Sequence, residues 1–125
     1  MSFKGLSCIF PAADMHKTAD YYVSKLGFRA VPYLNCREQH ICLYRDEIEI
    51  ILLQANTDKI IPNRIQYGYG YDAYLYTMYQ EEMEKEFTDK GVKFIRHLNV
   101  TDYQNKEFVI EDNDGRWLAV GLKVK

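Results

Sequence analysis

Phe108-Val-Ile-Glu-Asp-Asn-Asp-Gly-Arg-Trp-Leu-Ala-Val120 sets two apolar runs on either side of Asp114-Gly115. That arrangement specifies a β-hairpin, because both turn residues tolerate the positive φ that a tight turn requires. The flanking strands are expected over Glu107 to Glu111 and Arg116 to Val124.

Working back from the hairpin, the sequence repeats one plan twice. Leu6 to Ala12 is a short apolar run. Asp14 follows as a helix N-cap before Met15, Ala19, Tyr22, Val23 and Leu26, which fall on one helical face, and Gly27 is the stop. Phe28 to Leu34, Gln39 to Tyr44 and Glu47 to Gln54 read as extended segments, broken at Asn35-Cys36 and Arg45-Asp46. A polar stretch from Ala55 to Gly70 is a linker. The second half has a strand from Tyr71 to Thr77, a helix from Met78 to Lys90 with Thr77 and Gln80 as its capping box, a stop at Gly91, and strands from Val92 to Leu98 and through the hairpin. Glu81 with Lys85 and Glu86 with Lys90 have helix salt-bridge spacing, so the acidic run on this helix is expected to be a solvated face. The stops at Gly27 and Gly91 lie 64 positions apart, which fits a single domain, 1–125, of two βαβββ modules at about 3–56 and 68–125 in the α+β class.

Pro11-Ala-Ala-Asp14, the Tyr21-Tyr22…Leu26-Gly27-Phe28 helix end and Asp112-Asn-Asp-Gly115 occur together in this order. In that, the chain resembles the glyoxalase/bleomycin-resistance/dioxygenase proteins, the vicinal oxygen chelate superfamily. The resemblance implies paired curled sheets around a groove. It also implies metal ligands on the opening and closing strands of each module, in metal-dependent members His and Glu. Here those positions hold Ser7, Ile51, Asp72 and Ala119. An alanine has no lone pair for a cation, and the set leaves one strong donor where three or four are needed, so no metal and no cofactor are expected. Glu49 shares the parity of Ile51, and a two-residue slip would bring it to the ligand position. The histidines His16, His40 and His97 share no metal spacing.

Composition narrows the function further. A formal charge of −2 offers no footprint for nucleic acid, and no apolar run is long enough for a membrane span. Cys8, Cys36 and Cys42 form no C-x-x-C pair and leave an odd one, as expected of a reduced, cytoplasmic protein. No nucleophile elbow or phosphate loop is present. Six of the eleven tyrosines fall between Tyr67 and Tyr79, where rings with polar tips suit a wet binding surface.

Period-two alternation sends Asp72, Tyr74 and Tyr76 to one face, with Trp117 beside Ala119, and groups Glu47 with Glu49. These six side chains are the candidate ligand-binding set. Rings and carboxylates together suit a flat cation. The resemblance is nearest the bleomycin-resistance branch, whose members lack the metal triad, dimerise and sequester a cationic glycopeptide antibiotic. Two functions therefore stand as expectations. One is a metal-free homodimeric protein that binds a small cationic aromatic molecule, a glycopeptide antibiotic among the candidates. The other is a divergent lyase, isomerase or dioxygenase using Asp72 and Glu49 around an unusual metal or as acid and base.

Overall fold

The computed structural model describes residues 1–124. The chain divides into two compact units, Met1–Ile60 and Ile61–Lys125, and each unit is one βαβββ module around its own four-stranded sheet. The first contains β1 (Cys8–Ala12), α1 (Met15–Leu26), β2 (Arg29–Tyr33), β3 (His40–Arg45) and β4 (Ile48–Gln54), in the order β1-β4-β3-β2. In the second, a short helix α2 (Asn63–Gln66) precedes β5 (Ala73–Tyr76), α3 (Gln80–Asp89), β6 (Lys93–Val100), β7 (Asn105–Glu111) and β8 (Trp117–Lys123), in the order β5-β8-β7-β6. The opening strand of each module runs parallel to the closing one, and the remaining pairs are antiparallel.

Local chemistry sets the first helix. The Asp14 carboxylate accepts from the backbone N–H of His16 and Lys17 at 3.1 and 3.2 Å, satisfying two of the donors that a helix start leaves unpaired. Gly27 then takes a φ of 75°, a left-handed turn that costs glycine least. Between them Met15, Ala19, Tyr22 and Leu26 are buried, and Val23, assigned by spacing to the same face, is exposed. The buried stripe covers the β-sheet face carrying Phe10, Ile41, Leu43, Ile50 and Leu52, each at most 6% exposed. In the second module α3 lays Phe87 edge-on against Phe108, ring centroids 6.1 Å apart. Each such buried side chain contributes roughly 1.5–3 kcal/mol of transfer free energy.

Three local expectations change. The helix α3 starts at Gln80, so the Thr77 capping box does not form. Thr77 Oγ instead accepts from Tyr79 N–H at 3.0 Å, and Gln80 Nε2 donates to the Lys106 carbonyl at 3.5 Å. Glu81 pairs with Lys106 on β7 and not with Lys85, which pairs along the helix with Asp89 at 2.8 Å, while Glu84 accepts from Leu98 N–H at 2.8 Å. Arg45 and Ile48 pair across a two-residue turn in which Asp46 has φ 51°. Glu47 is therefore an exposed turn residue and not a member of β4.

The hairpin forms, with a different turn. Glu111 pairs with Trp117, Gly115 N–H donates to the Asp112 carbonyl at 3.1 Å, and of the turn residues Gly115 alone has positive φ, 83°. Asp112 holds the loop from inside. Its carboxylate accepts from Asp114 and Arg116 N–H at 2.8 and 3.0 Å and from Arg116 Nη1 at 3.1 Å, with Asp112 and Arg116 only 5% and 2% exposed.

Candidate functional site

The face of the second sheet turned away from α3 carries the chemistry. Register places Tyr74 beside Ala119 and Tyr76 beside Gly121 on β8, and Glu107 beside Gly121 from the β7 side. Asp72 stands just before β5 and meets Trp117. The four candidates Asp72, Tyr74, Tyr76 and Trp117 thus share one face, as alternation implies. The Tyr74 and Tyr76 rings lie 5.0 Å apart.

The centre of this face is Glu107, which spacing did not single out. Its side chain is fully buried. Oε1 accepts from the Tyr74 hydroxyl at 2.8 Å, and Oε2 accepts from Tyr103 at 2.6 Å, Arg96 Nη2 at 2.9 Å and Tyr71 at 3.2 Å. Arg96 Nη2 also donates to the Tyr71 hydroxyl at 2.6 Å, and Asn105 Nδ2 donates to the Tyr74 hydroxyl at 2.8 Å. Tyr74 reaches Glu107 by crossing β8 where that strand offers only Ala119 and Gly121. Arg96, Tyr71 and Tyr103 also line an open pocket of about 300 Å³ with Asn99 and Thr101.

Burial and the hydrogen bond to Glu107 push the Tyr74 phenol from 10.0 up to about 12, and the same two causes, with Tyr71, raise Tyr103. The Tyr71 bond raises Arg96. These phenols are therefore neutral donors near pH 7, and four donors on two oxygens fill the acceptor capacity of Glu107. The raised values have a stability consequence. Because the folded protein keeps the Tyr74 proton to about pH 12 while the unfolded chain releases it near 10.0, the contribution is complete below pH 10 and is lost as pH rises through about 12. Denaturant melts at stepped alkaline pH should show that decline, and a Tyr74→Phe variant should show a shallower one. Equal slopes in the two proteins would remove Tyr74 from the effect.

The remaining candidates are already engaged. Asp72 Oδ1 accepts from Asn63 N–H and Oδ2 from Trp117 N–H, both at 3.1 Å, so this carboxylate joins two chain segments. The Trp117 ring carries the Arg64 guanidinium, whose Cζ is 4.5 Å from the ring centroid, and Trp117 Nε1 donates to Glu111 Oε1 at 3.1 Å. Arg64 completes its contacts with the Gly115 carbonyl and with Glu111, 3.6 Å away.

In the first module, Glu49 lies on the open face of its sheet. The Ser7 hydroxyl donates to it, and this bond, followed by the Tyr44 hydroxyl, holds its carboxyl below the usual range. The bond to Glu49 in turn raises the Tyr44 phenol, over whose ring Arg29 sits at 5.0 Å. Ser7 and Glu49 are thus adjacent. Glu47 takes no part. Among the described residues, no three His, Cys, Asp or Glu side chains come together as a metal-binding group, and no helix is long and apolar enough to cross a membrane. His40 stacks on Tyr33, and His97 stacks on Phe94 and meets Glu84 at 3.2 Å.

Several solved structures share this architecture. A glyoxalase/bleomycin resistance protein/dioxygenase superfamily member from Sphaerobacter thermophilus is 20% identical, covers 92% of this chain and 93% of its own, and has a TM-score of 0.72. A glyoxalase/bleomycin resistance protein/dioxygenase from Alicyclobacillus acidocaldarius is 15% identical over 96% of this chain and 91% of its own, with a TM-score of 0.73. A glyoxalase family protein from Enterococcus faecalis is 22% identical over 97% and 99%, with a TM-score of 0.70. No family model and no curated protein sequence matches the chain. The fold is therefore that of the glyoxalase/bleomycin-resistance proteins, with two α+β modules in the same order.

Proposed function

We propose that this chain belongs functionally with the metal-free, bleomycin-resistance type of its fold, and that it binds a planar cationic small molecule beside Trp117 on the face of the second sheet turned away from α3, without transforming it. The observation that carries the reading is the Trp117 ring with Arg64 stacked on it and Glu111 at its edge. A guanidinium attracted to that ring displays the charge and shape preference of the surface. The exposed Tyr76 ring beside Tyr74 extends the aromatic area.

The acid-base reading loses support at its own residues. Both oxygens of Asp72 accept backbone amides, and Glu49 is held as a carboxylate below its ordinary range, which makes it a weak base and a poor acid near neutral pH. Glu107 has no acceptor capacity left. A homodimer is part of the proposal, favoured by the exposure of Phe3, Leu6 and Ile9, at 100%, 95% and 58%.

Calorimetric titration with bleomycin and with smaller planar cations tests the reading. Trp117→Ala is expected to weaken binding about tenfold, the loss of one stacking and cation–π contact. If no compound of this class binds the unsubstituted protein more tightly than millimolar, or if the alanine variant binds as well, the proposal fails.

A further inference from the structure

Arg64 is surrounded by everything a guanidinium can use. Its Cζ lies over the Trp117 ring, 4.5 Å from the centroid, Nη1 donates to the Gly115 carbonyl, and Nη2 is 3.6 Å from Glu111 Oε1. Glu111 is itself held in place, by Trp117 Nε1 on Oε1 and by Lys93 on Oε2 at 3.1 Å. An aromatic face beneath the cation, one carbonyl acceptor at its edge and a carboxylate at ion-pair distance make a preformed guanidinium site. Nothing in that geometry requires the guanidinium to belong to the same chain. The covalent link only gives it a high effective concentration.

The segment that delivers Arg64 is lightly held. The helix α2 has four residues, none of them buried, and Ile61, Ile65, Tyr67 and Tyr69 around it are 55–81% exposed. Gly68 and Gly70 follow at φ 89° and 104°. Besides Arg64, its ties include Asn63 N–H on Asp72 Oδ1 and Asn63 Nδ2 on the Tyr71 carbonyl, at 3.1 and 3.2 Å. A segment whose apolar burial is confined to Pro62 opens at low free-energy cost.

We infer that Trp117, Glu111 and the Gly115 carbonyl form a binding site for a guanidinium or amidinium head, which Arg64 occupies in cis, so that a ligand of this class enters by displacing Arg64 and its segment. The inference rests on the binding reading above and narrows its ligand class. Charge alone does not satisfy the site. A flat, hydrogen-bonding cation does, which separates it from quaternary ammonium ligands that donate no bond.

Trp117 is the one tryptophan of the chain, so its fluorescence reports the site directly. The probe is phenylguanidinium, with neutral phenylurea as its near-isostere. Arg64→Ala removes the internal competitor and is expected to bind phenylguanidinium about tenfold or more tightly than the unsubstituted protein, with no such gain for phenylurea. Adding Glu111→Gln should cancel the gain. Arg64→Gln, which keeps most of the stem, should show the same tightening, and it carries the test if circular dichroism finds the alanine variant unfolded. Equal affinities with and without Arg64, or an equal gain for phenylurea, overturn the inference. An equal affinity that Trp117→Ala abolishes leaves the binding reading standing while cis occupancy falls. Absence of saturable binding to the Arg64 variants also overturns the inference, and titration of the unsubstituted protein with planar cations then judges the binding reading separately.

Discussion

Glu107→Ala lowers the stability of the fold by about 3 kcal/mol, the low end of what removing one partner of a buried ion pair costs, because Glu107 is buried while Arg96 is 40% exposed, and drops the unfolding midpoint by about 10 °C. The reason is what the substitution leaves behind. Arg96 Nη2 and the hydroxyls of Tyr74, Tyr71 and Tyr103 all donate to this carboxylate, and without it they face one another around a void. Unsatisfied donors cost about 1–3 kcal/mol each when water cannot reach them. The pocket beside Arg96 admits water to part of the cluster, which keeps the total below that simple sum. Glu107→Gln retains an acceptor oxygen and is expected to cost about half as much. Denaturant unfolding of both variants decides the matter, and a loss under about 1 kcal/mol for the alanine variant would show that the network contributes little.

Gly121→Ala is expected to destabilise by about 3 kcal/mol, the upper end of what overpacking costs. A Cβ at this position would stand 2.3 Å from the Lys106 carbonyl oxygen, 2.6 Å from Glu107 Cβ and 2.7 Å from Glu107 Cα. Those are backbone atoms and the root of a side chain, so no rotamer change relieves them. The strands β7 and β8 have to part at their Glu107–Gly121 pair. Since Gly121 has no positive φ, backbone conformation adds nothing, and sterics are the whole effect. A melting curve within about 2 °C of the unsubstituted protein would contradict this close approach. Spreading β7 from β8 should also loosen the Tyr74–Glu107 bond, so the alkaline decline in stability should shift toward that of Tyr74→Phe.

The legible part of the molecule was the part encoded within a few residues. Asp14 and Gly27 bracket α1, Gly91 ends α3, and Asp112 to Gly115 turns the last hairpin, because capping and positive-φ requirements act locally. Parity along a strand likewise placed Asp72, Tyr74, Tyr76 and Trp117 on one face. Partners were another matter. Glu107 lies on the same parity as Val109 and Glu111, and that signal was present in the sequence, yet its donors come from positions 71, 74, 96 and 103, which only the sheet assembles. Arg96 was hidden further by register shifts on both sides of it in β6, which spoil simple alternation. Asp72 and Trp117 were placed on the correct face, but their contacts with Asn63 and Arg64 were not legible, since no spacing rule links them. Glu47 failed by one residue: the turn takes Asp46 and Glu47 together, and such a slip decides whether a side chain belongs to a sheet face at all.

Ala119 bears on how this chain can change. It is fully buried and pairs with Tyr74, whose phenol crosses the strand beside it to reach Glu107. A glutamate placed at 119 would meet the Tyr74 ring and a second buried carboxylate nearby, so that single substitution leads first through a collapsed network. Tyr74 and Glu107 would have to change before it. The order in which substitutions at positions 74, 107 and 119 are tolerated is thus built into the sheet.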